Sequence, residues 1–125
     1  MFLGTISNYT SVANADIPIA TVINSNNKIS NNSTEIDFNK AGFYNVDAVL
    51  NITGPAADIT LNLVADGAVK RSVTVTVATA DDYVVIPLMD ALKVLQSLSG
   101  AASISLQLDT AGYTVNGTVR VEYVQ

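Results

Sequence analysis

The chain has 125 residues, a formal net charge of −5, and neither cysteine nor histidine. That length fits one domain, since a second core would have too few residues. The missing thiols and imidazoles exclude disulfides, Ser-His-Asp or Cys-His catalysis and a structural zinc set; the 6 basic residues are scattered, apart from Lys70-Arg71, which speaks against a nucleic-acid surface.

Residues 1 to 15 carry Phe2, Leu3, Ile6, Tyr9 and Val12 among Ser, Thr and Asn, with weak alternation. The expectation is an extended arm that a partner surface must order, preceding a head domain over 16–125. No basic n-region or apolar h-region follows Met1, so no secretory signal is expected. Ile17 to Ile23 reads as a first strand, with Pro18 at its start or on an edge because it cannot donate a ladder bond. Asn24 to Ser33 reads as a polar loop with a short strand at Lys28-Ile29-Ser30.

Ser33 to Phe38 and Gly42 to Ile52 follow as strands, joined by Lys40-Ala41-Gly42. In the second of these, Tyr44, Val46, Ala48, Leu50 and Ile52 share one face, while Asn45, Asp47 and Asn51 share the other. That period of two marks a half-buried strand. Ile59, Leu61 and Leu63 repeat the pattern, Asp66-Gly67 supplies a hairpin signal, and Val73, Val75 and Val77 form the returning strand. Asp81-Asp82 precedes Tyr83 to Leu88. Residues 88–95 fit either a helical turn or a bent strand, because Leu88, Ala91, Leu92 and Leu95 suit a helical face. Ile104, Leu106 and Leu108 make another strand, and Val119, Val121 and Tyr123 the last. A tight turn at Asn116-Gly117 would match apolar residues poorly, so 103–108 is expected to pair with 118–124 across a longer loop.

These segments give about 8–10 short strands with regular turn signals. The expected fold is all-β, an antiparallel β-sandwich of jelly-roll type. Thr suits strands and Asn suits turns, so the composition agrees. The longest apolar run, Tyr83 to Met89, contains Pro87 and is too short to span a bilayer, so no membrane partner is expected.

Little in the chain is suited to chemistry. Asp81-Asp82 is the sole acidic pair. Adjacent strand-end carboxylates point apart, which suits a solvated turn better than general acid/base work. A Ca²⁺ site would need further oxygens, from Asp66 or Asp109. No cofactor is expected. Tyr44, Tyr83, Tyr113 and Tyr123 lie in or beside strands. Such rings serve either the core or a subunit interface, where Tyr buries area while keeping a polar tip wet.

Several pieces resemble a known family. These are Ile17-Pro18-Ile19-Ala20-Thr21-Val22-Ile23-Asn24, Ile36 to Val46, Leu61 to Gly67 and Asn116 to Val121. Together they resemble the tumour necrosis factor/complement-head jelly roll in its bacterial and phage version, over residues 17 to 125. The resemblance implies a homotrimer about a three-fold axis, of the kind that caps fibres, spore-surface filaments and phage appendages. Candidate trimer-interface residues are Tyr44, Tyr83, Val85, Tyr113, Val121 and Tyr123: tyrosines beside strands, and strands such as those at Phe43-Tyr44 and Val84-Val85-Ile86 with apolar residues on both faces, one of which needs a partner. The resemblance places the last strand, with Tyr123, near the axis. No collagen-like Gly-X-Y stalk precedes the head, which favours a small module attached to something larger. The expected role is therefore a non-enzymatic virion protein, made in the host cytoplasm, that decorates or caps a phage capsid, head fibre or other appendage. Its expected partners are itself and a capsid or appendage protein held through the arm residues Phe2, Leu3, Ile6, Tyr9 and Val12. The alternative is a receptor- or glycan-binding head, using loops such as Asn24–Asn32 or Asp109–Asn116 on a host-surface glycan.

Overall fold

The computed structural model describes residues 1–25, 28–94 and 102–124. Its ten strands are β1 (Phe2–Thr10), β2 (Ala20–Asn24), β3 (Ile29–Asn31), β4 (Ile36–Phe38), β5 (Gly42–Thr53), β6 (Ala57–Ala65), β7 (Ala68–Val77), β8 (Val84–Val94), β9 (Ala102–Leu108) and β10 (Thr114–Tyr123). They form two five-stranded sheets, ordered β2-β1-β10-β5-β8 and β3-β4-β9-β6-β7. Every pairing is antiparallel. This is the expected jelly-roll sandwich.

The alternation in β5 shows how the sequence builds it. Tyr44, Val46, Ala48, Leu50 and Ile52 are buried, and they join one core cluster with Phe38, Ile59, Leu61, Leu106 and Leu108 of the other sheet. Fully burying one large aliphatic side chain contributes about 1.5–3 kcal/mol. At the tip between β6 and β7, Asp66 and Gly67 both have positive φ, 51° and 83°. That is the mirror-image turn whose twist matches a two-stranded hairpin, and Ala65 faces Ala68 across it.

Three expectations are corrected. The N-terminal segment is not a separate arm: β1 lies between β2 and β10, with Phe2 opposite both Val121 and Asn24. Phe2 and Ile6 are fully or almost fully buried, Leu3 and Tyr9 are half-buried, and only Val12 of the five is exposed. The alternation Phe2, Gly4, Ile6 escapes notice because its middle member is a glycine. A side chain there would collide with Ile19, so the small residue makes room for the adjoining segment.

The second correction concerns strand pairing. β9 pairs with β4 and β6, whereas β10 pairs with β1 and β5. The Asp109–Tyr113 connection therefore crosses from one sheet to the other. Asn116-Gly117 is mid-strand, and a Cβ on Gly117 would strike the carbonyl oxygen of Val49.

Third, β8 stays extended along β5 as far as Val94, which removes the helical alternative; Leu95 lies outside the described residues. Ile86, Leu88, Asp90, Leu92 and Val94 form one row, and Asp90 breaks its apolar pattern. Asp90 sits opposite the buried Val46 and meets the Lys70 ammonium of β7 at 3.8 Å. An inward charge on an edge strand also blunts pairing with another sheet.

Candidate interaction surface

The solvent face of the first sheet is partly apolar along β5 and β8. Val49 lies opposite Pro87, Asn51 opposite Val85 and Asp47 opposite Met89. On these successive rungs Val49 is 45% exposed, Val85 52% and Met89 67%. Phe43 is also exposed on β5, and Tyr83 stands 79% exposed just before β8. Residues with apolar neighbours in sequence thus divide between two faces: Tyr44 and Ile86 fill the core while Phe43 and Val85 meet water.

A polar margin adjoins this strip. Arg120 of β10 lies opposite Asp47 and holds Glu122 in an ion pair at 2.8 Å. A shallow depression of about 390 Å³ lies between Asn45, Asp47, Met89, Asp90 and Ala91. An apolar centre with a charged rim is the usual composition of a protein–protein contact.

The six residues expected at a trimer interface separate under this geometry. Tyr44, Tyr113 and Val121 are core residues of the single chain, with no side-chain area left to bury against a partner. Tyr44 packs on Phe38 with ring centroids 4.5 Å apart, and its hydroxyl donates to the carbonyl of Lys40 at 2.7 Å. Burial, then the neighbouring Tyr123, pushes the Tyr44 phenol pKa up. Tyr123 is half-buried at the edge of this cluster, 5.2 Å from the Tyr44 ring. The Lys28 and Lys40 ammoniums lie 4.9 and 5.5 Å from its centroid, a cation–π arrangement. Tyr83 and Val85 are the two of the six that remain exposed. Sequence reasoning missed Val49 and Met89, whereas the pair Phe43-Tyr44 already shows apolar residues on both faces of one strand. Val49 had left a signal, as an apolar residue on the Asn45-Asp47-Asn51 face.

Of the carboxylates considered for Ca²⁺, Asp66 and Asp109 have structural partners, while Asp81 and Asp82 are exposed in a turn held by their backbone N–H groups. Asp66 accepts from the Ser103 backbone N–H at 3.0 Å. Asp109 accepts from the Thr60 N–H at 3.0 Å and from the Thr110 hydroxyl at 2.9 Å. Among the described residues no three acidic side chains gather into a metal-binding group.

No family model matches the chain, and neither does any curated protein. Solved structures do. Murine APRIL at pH 5.0 superposes with a TM-score of 0.72 at 9% identity, covering 95% of this chain and 98% of that one. Eiger TNF from S. frugiperda gives 0.70 at 12% identity, covering 99% and 93%. PRD1 vertex protein P5 gives 0.62 at 17% identity, covering 99% of this chain and 72% of that one. At these identities the likeness shows the fold, a TNF-like jelly roll, and nothing finer.

Proposed function

We propose that the chain is a non-enzymatic structural module of a virion, a homotrimeric jelly-roll head that decorates or caps a larger particle. The observation that carries the reading is the exposed strip Val49, Val85, Pro87 and Met89 on an otherwise ordered sheet. Contiguous apolar surface of this kind marks an interaction site. A second copy is the natural occupant, because 125 residues leave a large fraction of surface uncovered. The likeness to a phage vertex protein over 99% of the chain supports a virion location. With β1 built into the sheet, attachment to a capsid or appendage protein falls to the head's own surface.

Size-exclusion chromatography with light scattering tests the trimer. A particle three times the 13.1 kDa chain mass is expected, and a stable monomer at micromolar concentration overturns it. Incorporation of the purified protein into particles lacking it tests the structural role.

A further inference from the structure

The regular pairing of β1 with β10 breaks between Ile6 and Tyr9. Asn8 takes φ 49° there, and its backbone N–H is held by the Asn116 side-chain oxygen at 2.8 Å. The resulting bulge forms one wall of a groove of about 420 Å³, lined by Ser7, Asn8, Tyr9, Thr10, Pro18 and Ser33 with Ile19 at its base. The opposite wall is pinned as well: Ile19 donates its N–H to the Ser33 carbonyl at 2.6 Å, and Ser33 itself has φ 81°. Two non-glycine residues with left-handed backbone thus line one groove, and such costly conformations gather at functional sites.

The chemistry of the lining is specific. Every residue in it is uncharged. Tyr9 packs partly on the core and Pro18 is exposed beside it, which gives apolar surface. Around them stand the hydroxyls of Ser7, Tyr9, Thr10 and Ser33 and the Asn8 amide. Among the described residues, none of these five side chains hydrogen-bonds to another protein group. On the outer face of the second sheet the same residue types satisfy one another, as in Thr60 with Thr74 at 2.8 Å, Ser72 with Asn62 at 2.6 Å and Thr76 with Asp58 at 2.6 Å.

We infer that this groove binds a neutral saccharide. A sugar presents an apolar C–H face for Tyr9 and Pro18 and a rim of hydroxyls for the five unengaged groups. With no cation in the lining, a sugar acid or phosphate gains no charge partner. With no carboxylate, a metal ion lacks ligands. The inference is independent of oligomeric state and of the virion role, so the 125-residue chain tests it alone.

The experiment is amide-resolved NMR titration with cellotriose, maltotriose and triacetylchitotriose, against 3′-sialyllactose as the anionic probe. At least one neutral trisaccharide is expected to shift the Ser7–Thr10 and Ser33 amides at millimolar concentration and to bind more tightly than sialyllactose. Tyr9→Ala should weaken that binding about tenfold, and Thr10→Ala and Ser33→Ala should each weaken it measurably. Ser72→Ala, on the far sheet, should leave it unchanged. Because Tyr9 touches the core, Tyr9→Phe and Ser33→Ala decide the matter if Tyr9→Ala does not fold. No shift with any of the three neutral sugars overturns the inference, and so does binding that Tyr9→Phe and Ser33→Ala both leave intact.

Discussion

Gly54 is glycine because of Tyr113. A methyl group on Gly54 would sit 2.5 Å from Cδ1 of the Tyr113 ring, and the Tyr113 hydroxyl donates to the carbonyl of the next residue, Pro55. Gly54 is not among the residues with positive φ, so space alone demands the small residue. Gly54→Ala should therefore destabilise by about 1–3 kcal/mol through overpacking. Tyr113→Phe should cost about 1 kcal/mol for the lost hydrogen bond. In a Tyr113→Ala background the Gly54→Ala penalty should largely vanish, and a double-mutant cycle by urea denaturation measures that coupling. Additive effects would show that the contact is not what constrains Gly54.

β1 gives a second test. Phe2 is buried between the registers of β2 and β10, so Phe2→Ala should cost about 3–5 kcal/mol. Deleting residues 2 to 13 removes a strand from inside the sheet and should abolish cooperative unfolding in circular dichroism. A truncated chain that melts as the full one does would restore the free-arm interpretation.

The fold class was legible from Val, Thr and Asn usage and from clean alternation in β5, β6 and β7. What escaped did so for local physical reasons. Gly4 and Asp90 each stand on an inner row where an apolar side chain was awaited, which hid β1 and blurred β8. Gly117 announces a turn in sequence, yet the close approach of the β5 backbone at Val49 requires it within β10. Long-range pairing was the least legible level, since β9 and β10 carry equally good apolar faces and only the whole topology sends them to different sheets. The interaction strip was half legible. Val85 was seen, but Tyr44 and Tyr113 drew attention as large aromatics although their rings belong to the core.

Asp37 makes stability depend on pH. Burial, then repulsion from Glu35, raises its pKa above the ordinary 3.8. In the window just above that value the folded chain holds a proton that the unfolded chain has released. Stability therefore falls as pH rises through the window, and the penalty persists at neutral pH. Asp37→Asn should raise the melting temperature at pH 7, with the gain disappearing below about pH 3.8, where the carboxyl is protonated in both states. A variant that is no more stable at pH 7 than the wild type would show that the ionised carboxylate is accommodated without penalty.

The assembly surface is tested by placing charge on it. Val85 and Met89 meet water in the single chain, at 52% and 67% exposure, so Val85→Asp and Met89→Asp should leave the folded chain's own core untouched. In a trimer built on this strip each would bury an unpaired carboxylate, which is costly in a dry contact. Both variants should therefore shift the trimer–monomer midpoint to about tenfold or higher concentration. Tyr83→Ala should act in the same direction, because a large exposed ring beside the strip gains most from being covered. Val69 provides the control: it is 58% exposed on β7, in the other sheet, and Val69→Asp should assemble as the wild type does. Analytical ultracentrifugation across a dilution series reads all four. If Val69→Asp dissociates the particle while Val85→Asp and Met89→Asp do not, the subunits meet through the β7 side of the sandwich, and the strip on β5 and β8 is left facing some other partner.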